Sequence, residues 1–309
     1  MKARAPSGVW ARASSGIGRS GGPRAGSWSP VSLVGAYYNA ISRGDYARAY
    51  GYWEQAPGNQ TEAQFAAGFA DTLSADALVR LPIFIDAGAG NLYANIPTLV
   101  IAGRNDGSTA YFTGCLVAHK TNVPVDDAPE PDPNWYLQEG DLTQMQTPDL
   151  AALDTACAEE YTLTTDPNNV VSQLDPIQLV QAYFSLIARG QTGETLALWE
   201  NPPGDMFQAA YGKELNAADS FNLYVNPVIY SEGAAGSIYA NAAALVVMNA
   251  PDNSHLYIAG CYTARLSNVP VGNATEPDPN WHFYNASLTT ALDDPSAIAA
   301  LDGICTGRG

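Results

Sequence analysis

The chain has 309 residues, 14 basic and 31 acidic, a net charge of −17, and 46% apolar against 15% charged side chains. That composition belongs to a folded protein of two domains with a charge-poor surface, and it excludes disorder over most of the length. It also makes nucleic acid and anionic lipid poor partners, since each needs a basic face, and without an apolar run of about 18 residues no transmembrane segment is expected.

Residues 1–29 hold Lys2, Arg4, Arg12, Arg19 and Arg24 and no acid, whereas the remainder holds 9 basic against 31 acidic residues. The segment is rich in Gly, Ser, Ala and Pro and is expected to be a disordered basic tail or linker. It lacks the apolar stretch of about 7–15 residues that a secretory signal needs.

Beyond the tail the chain is a duplication. SPVSLVGAYYNAISRG returns as DPIQLVQAYFSLIARG, NLYANIPTLV as SIYANAAALV, and EPDPNW at 130–135 recurs unchanged at 276–281. The offset is 146 residues, becoming 148 where Cys157 matches Cys305. So long a period marks a repeated domain, because a solenoid unit is about 20–50 residues. The expected organisation is a domain at 30–160, a polar linker at 161–173 and a second domain at 174–307.

Each half opens with a helix. Ser29-Pro30 and Asp175-Pro176 supply an N-cap and a proline at the first helical position. Val31, Val34, Tyr37, Tyr38 and Ile41 then fall on one face, as do Ile177, Val180, Tyr183, Phe184 and Ile187. Arg43-Gly44 and Arg189-Gly190 end the helix. A second short helix reaches Trp53-Glu54 or Trp199-Glu200, and a third covers 61–70 or 205–214. The period then changes to two. Strands are predicted near 77–86, 92–102, 109–119 and 134–143, and again near 223–231, 238–248, 255–265 and 280–289, with turns such as Asn105-Asp106-Gly107 between them. A last short helix begins at Thr147-Pro148 and at Asp294-Pro295.

Helices followed by a four-stranded meander make an α+β pattern. The segments LVGAYYNAISRGDYARAYGYWE and LVQAYFSLIARGQTGETLALWE resemble the opening helices of nuclear transport factor 2-like (cystatin-like, SnoaL-like) domains. The resemblance spans both halves. It implies two duplicated cone-shaped domains, each with N-terminal helices packed on a curved four-stranded antiparallel sheet around one pocket. It implies no single activity, because that fold hosts isomerases, cyclases, transport factors and binding modules.

Each half holds two cysteines at matched positions, Cys115 and Cys157, then Cys261 and Cys305. The duplication selects the within-half pairing Cys115–Cys157 and Cys261–Cys305, which lets either half close its own loop. Disulfides place the protein outside the cytoplasm, despite the absence of a recognisable signal. No Cys-x-x-Cys is present, and only His119, His255 and His282 could assist the thiolates, so neither a metal nor a cofactor is expected.

Tyr37, Tyr93 and Tyr111, with Tyr183, Tyr239 and Tyr257, are the residues expected to line a small apolar-ligand pocket in each half. Candidate bases are Asp45, Asp71, Asp86 and His119 in the first half, and Glu232, His255 and His282 in the second. Asp45 is matched by Gln191 and His119 by Arg265, so no acid–base set recurs and no catalytic residue is assigned. The carboxylates Glu130, Asp132, Glu276 and Asp278 of the two EPDPNW copies read as rigid turns rather than a cation loop. The favoured function is an extracytoplasmic tandem-domain binding or structural module without catalysis, its partner a small apolar molecule or a protein. The alternative is a SnoaL-like cyclase or ketosteroid-isomerase-like enzyme with one active half.

Overall fold

The structure is a computed structural model that describes residues 29–123, 132, 134–157, 175–201, 206–234, 236–270 and 275–305. The basic tail apart from Ser29, the linker 161–173 and Glu130 lie outside these residues. The first half contains helices α1 (Pro30–Ser42), α2 (Tyr46–Tyr50), α3 (Glu62–Ala67) and α4 (Leu150–Asp154). The second contains α5 (Pro176–Ala188), α6 (Met206–Ala217) and α7 (Asp294–Leu301). The long helices begin as their sequences direct. The side chains of Ser29 and Asp175 accept from the backbone N–H of Ser32 and Gln178, and a proline follows each cap.

Each half contributes five strands rather than the four expected. In the first they are β1 (Thr72–Leu81), β2 (Phe84–Gly88), β3 (Asn91–Arg104), β4 (Thr109–Thr121) and β5 (Tyr136–Met145). In the second they are β6 (Ser220–Val225), β7 (Tyr230–Ala234), β8 (Ser237–Asn249), β9 (His255–Ser267) and β10 (His282–Ala291). The run read as one strand at 77–86 is two, because Pro82 has no N–H to give to a ladder. β1 pairs with the C-terminal part of β3, and β2 rejoins the N-terminal part of the same strand, from Phe84 opposite Asn95 to Gly88 opposite Asn91.

The larger correction concerns architecture. Two separate cone-shaped domains on four-stranded sheets are not what forms. The halves share one ten-stranded antiparallel sheet in the order β10-β9-β8-β6-β1-β3-β4-β5, with β2 on β3 and β7 on β8. Independent sheets would leave β1 and β6 as open edges, rows of donors and acceptors that invite a partner. Here each is the other's partner: Val79 faces Val225, Arg80 faces Tyr224 and Leu81 faces Leu223. Under the 146-residue offset Val225 is the duplicate of Val79. The seam therefore carries a pseudo-two-fold axis, like an isologous interface between two copies of one protomer.

Side chains alternate across this sheet. Beneath α1 and α5 lies a core that runs through both halves and includes Val34, Tyr37, Val79, Val180, Tyr183 and Val225. The opposite face holds a second core beneath α4 and α7, built on Leu78, Leu153, Tyr224, Leu245 and Leu301. The disulfides clamp that second layer. Cys115 of β4 bonds Cys157 just after α4, and Cys261 of β9 bonds Cys305 just after α7. This is the pairing that the duplication selected. Among the described residues no helix is long and apolar enough to cross a membrane.

At Gly35 of α1 the two halves touch. A Cβ there would overlap the carbonyl of Pro227, just past β6, so only glycine permits this approach. The duplicate position carries Gln181, which is only partly buried. Gly35→Ala is expected to cost about 1–3 kcal/mol through overpacking, and Gln181→Ala within about 0.5 kcal/mol. Urea unfolding of both variants checks this. Equal stability for the two would mean that α1 does not press on the second half.

Candidate functional site

Even-numbered residues of β1 and β6 near the seam face α4 and α7. Three polar groups from both halves meet there around Asp154, the last residue of α4. Arg80 of β1 donates from Nε to Asp154 Oδ1 at 2.7 Å, and the Tyr224 hydroxyl donates to the same oxygen at 2.7 Å. Asn222 Nδ2 donates to Oδ2 at 2.8 Å. Arg80 is 6% exposed and Tyr224 1%. Burial raises the Asp154 carboxyl above its ordinary range against the pull of Tyr224 and Arg80, and burial with the adjacent carboxylate drives the Tyr224 phenol far up.

The pseudo-two-fold axis carries this cluster to a second position with different contents. The 146-residue offset places Asp76 where Asn222 stands, Leu78 for Tyr224 and Asn226 for Arg80. The 148-residue offset of the last helix puts Asp302 in the place of Asp154. The guanidinium and the phenol are gone and one carboxylate is added. In the space left lies a cavity of about 270 Å³ between β1, β3 and α7. Leu78, Ile101, Tyr111, Ile298 and Leu301 wall it, with Asp76 and Asp302 as its acids. Among the described residues no lysine, arginine or histidine lines it.

Burial, and secondarily the Asp302 charge, push the Asp76 carboxyl up to about 6 from 3.8. Tyr230 faces the same carboxylate, with Arg43 nearby. In the unfolded chain Asp76 ionises near pH 4, while the folded chain keeps its proton to about pH 6. Folding therefore loses stability as pH rises through that window and stays level above it. Asp76→Asn is expected to stabilise the protein by about 1–2 kcal/mol at pH 7.5, after allowance for partial solvent screening, and to change nothing at pH 3.5. Urea midpoints at the two pH values test this. A variant less stable than the parent at pH 7.5 contradicts it.

A second polar set recurs in both halves, and sequence reasoning overlooked it. His119 Nδ1 lies 2.8 Å from Glu54 Oε1 and its Nε2 lies 2.9 Å from Asn91 Oδ1, while Tyr93 stacks on the ring at 4.9 Å. Both ring nitrogens thus have a side-chain oxygen within hydrogen-bond distance. At the duplicate positions Arg265 bonds Glu200 at 2.8 Å and Ser237 at 2.9 Å, with its guanidinium 5.9 Å from the Tyr239 ring. Histidine in one half and arginine in the other thus bond the matched glutamate. The signal was present in the paired Trp-Glu dipeptides, whose Glu54 and Glu200 are the constant members.

The six tyrosines singled out by sequence do not gather around one pocket per half. Tyr37 and Tyr183 sit in the core edge-on to Trp53 and Trp199, with centroids 6.0 and 6.3 Å apart. Burial pushes the Tyr37 phenol up to about 12. Tyr93 and Tyr239 lie against His119 and Arg265. Tyr257 lies in the second core, its phenol pushed up to about 12 by burial and then by Asp294. Tyr111 alone of the six lines the seam cavity. Another cavity, of about 360 Å³, lies between α5, α6 and the start of β6, walled by Ile187, Leu215 and Phe221, and none of the six lines it.

Several of the remaining candidates bond within their own neighbourhood. The Asp45 carboxylate caps α2 by accepting from Arg48 N–H. Asp132 and Asp278 accept from the backbone N–H of Asn134 and Asn280, both at 2.9 Å. His282 lies 3.0 Å from Asp278 Oδ2, and His255 lies 2.8 Å from Asn249 Oδ1. Among the described residues no group of three His, Cys, Asp or Glu side chains could hold a metal ion. Comparison with protein-family models, curated proteins and solved structures gave no match.

Proposed function

We propose that the protein is an extracytoplasmic, non-catalytic binding module in which two fused repeats build one small-molecule site at their seam. The observation that carries this reading is the cavity of about 270 Å³, whose walls come from β1 and β3 of the first half and α7 of the second. Pockets at junctions of this kind, mostly apolar with a few polar groups, are where proteins hold small ligands. The two disulfides support an oxidising compartment. Less supports the cyclase or isomerase alternative. Asp45, Asp71, Asp86, His119, Glu232, His255 and His282 all stand apart from the linings of both cavities.

Nuclear magnetic resonance of methyl-labelled protein tests the site. Either n-hexylammonium or n-hexanol should shift the methyls of Leu78, Ile101 and Ile298 saturably. Ala299→Trp, an exposed lining position on α7, should block those shifts while leaving the fold intact. Absence of shifts at the seam with both probes, or shifts unchanged by Ala299→Trp, would contradict the reading.

A further inference from the structure

Taking the seam cavity as the binding site, we propose that its ligand is a small amphiphilic cation, an alkylguanidinium or alkylammonium. The charged head sits between Asp76 and Asp302 and the chain lies against Leu78, Ile101 and Ile298.

The molecule's own symmetry supports this. On one side of the seam Asp154, at the C-terminus of α4, holds a guanidinium that the chain itself supplies, Arg80 at 2.7 Å. On the other side the equivalent carboxylate, Asp302, caps the C-terminus of α7. Asn226 stands where the arginine would be. Its side-chain oxygen is turned into its own loop and accepts from Val228 N–H at 2.9 Å. The negative end of a helix repels a carboxylate, and Asp76 adds a second negative charge. Among the described residues neither carboxylate accepts a hydrogen bond, and none of the basic ones lines the cavity.

Two carboxylates beside apolar walls complement a cation with an apolar body. At about 30 Å³ per water, the 270 Å³ cavity has room for a ligand of roughly ten non-hydrogen atoms. The net charge of −17 draws cations towards the molecule from solution.

Titration of the intact, disulfide-bonded protein at pH 7.5 with n-hexylguanidinium, n-hexylammonium and neutral n-hexanol tests the proposal. The cations are expected to bind at least about tenfold more tightly than the alcohol, with shifts at the Leu78, Ile101 and Ile298 methyls. Asp76→Asn should weaken the cations about tenfold and leave the alcohol unchanged. Asn226→Arg, which supplies an internal guanidinium, should abolish cation binding and raise Tm. Binding of n-hexanol as tight as that of the cations would overturn the charge assignment while leaving the seam as a binding site. Failure of all three probes would overturn both.

Discussion

Replacing Cys115 and Cys157 together by serine is expected to cost about 4 kcal/mol of stability, and replacing Cys261 and Cys305 about the same. The bonds span 42 and 44 residues, so each removes a large loop-closure entropy from the unfolded chain. Their places in the fold add a second reason. Each clamps the short helix that covers the second face of the sheet. With five residues in α4 and eight in α7, neither helix would persist without tertiary contacts. A domain is typically stable by about 5–15 kcal/mol, so loss of both bridges should leave little or no folded protein at 37 °C. Urea unfolding of each double-serine variant gives the value. A cost below about 1 kcal/mol for either would mean that the native ladder holds these helices unaided.

Asp154→Ala should cost about 3–5 kcal/mol, because it strips a buried guanidinium of its carboxylate and removes the acceptor of the Tyr224 hydroxyl. The comparison that isolates the seam is Asp302→Ala. Asp302 occupies the equivalent place but forms no ion pair with a described residue, so its loss should be neutral or mildly stabilising. The difference between the two variants, measured by urea unfolding, reports the asymmetry on which the ligand proposal depends. Equal costs would place a chain cation at both carboxylates and remove its basis.

Much of the local structure was legible in the sequence. The caps at Ser29 and Asp175, the helix faces through Tyr37 and Tyr183, and both disulfides follow from short-range rules and from the duplication. The joining of the halves was not. Leu81 and Leu223 lie far apart in the chain, and nothing in either strand's own pattern tells a neighbour in the same half from one in its duplicate. The seam cluster was hidden for a related reason. Arg80, Asp154, Asn222 and Tyr224 have no motif spacing, because the fold brings them together only after β1 and β6 have paired. Glu54 and Glu200 were visible, but His119 and Arg265 were compared as bases, and as bases they differ. As partners of a constant glutamate they hold the same place.

The continuous sheet and the seam site rest on the halves forming one body, and this can be tested without a ligand. Both disulfides lie within a half, so neither one ties the halves together. A protease site introduced into the segment 161–173 and cut under native conditions leaves two fragments. The shared core beneath α1 and α5 and the β1–β6 ladder predict that the fragments stay together and elute in size-exclusion chromatography at the mass of the uncut chain. Two folded fragments that separate at micromolar concentration would contradict the account.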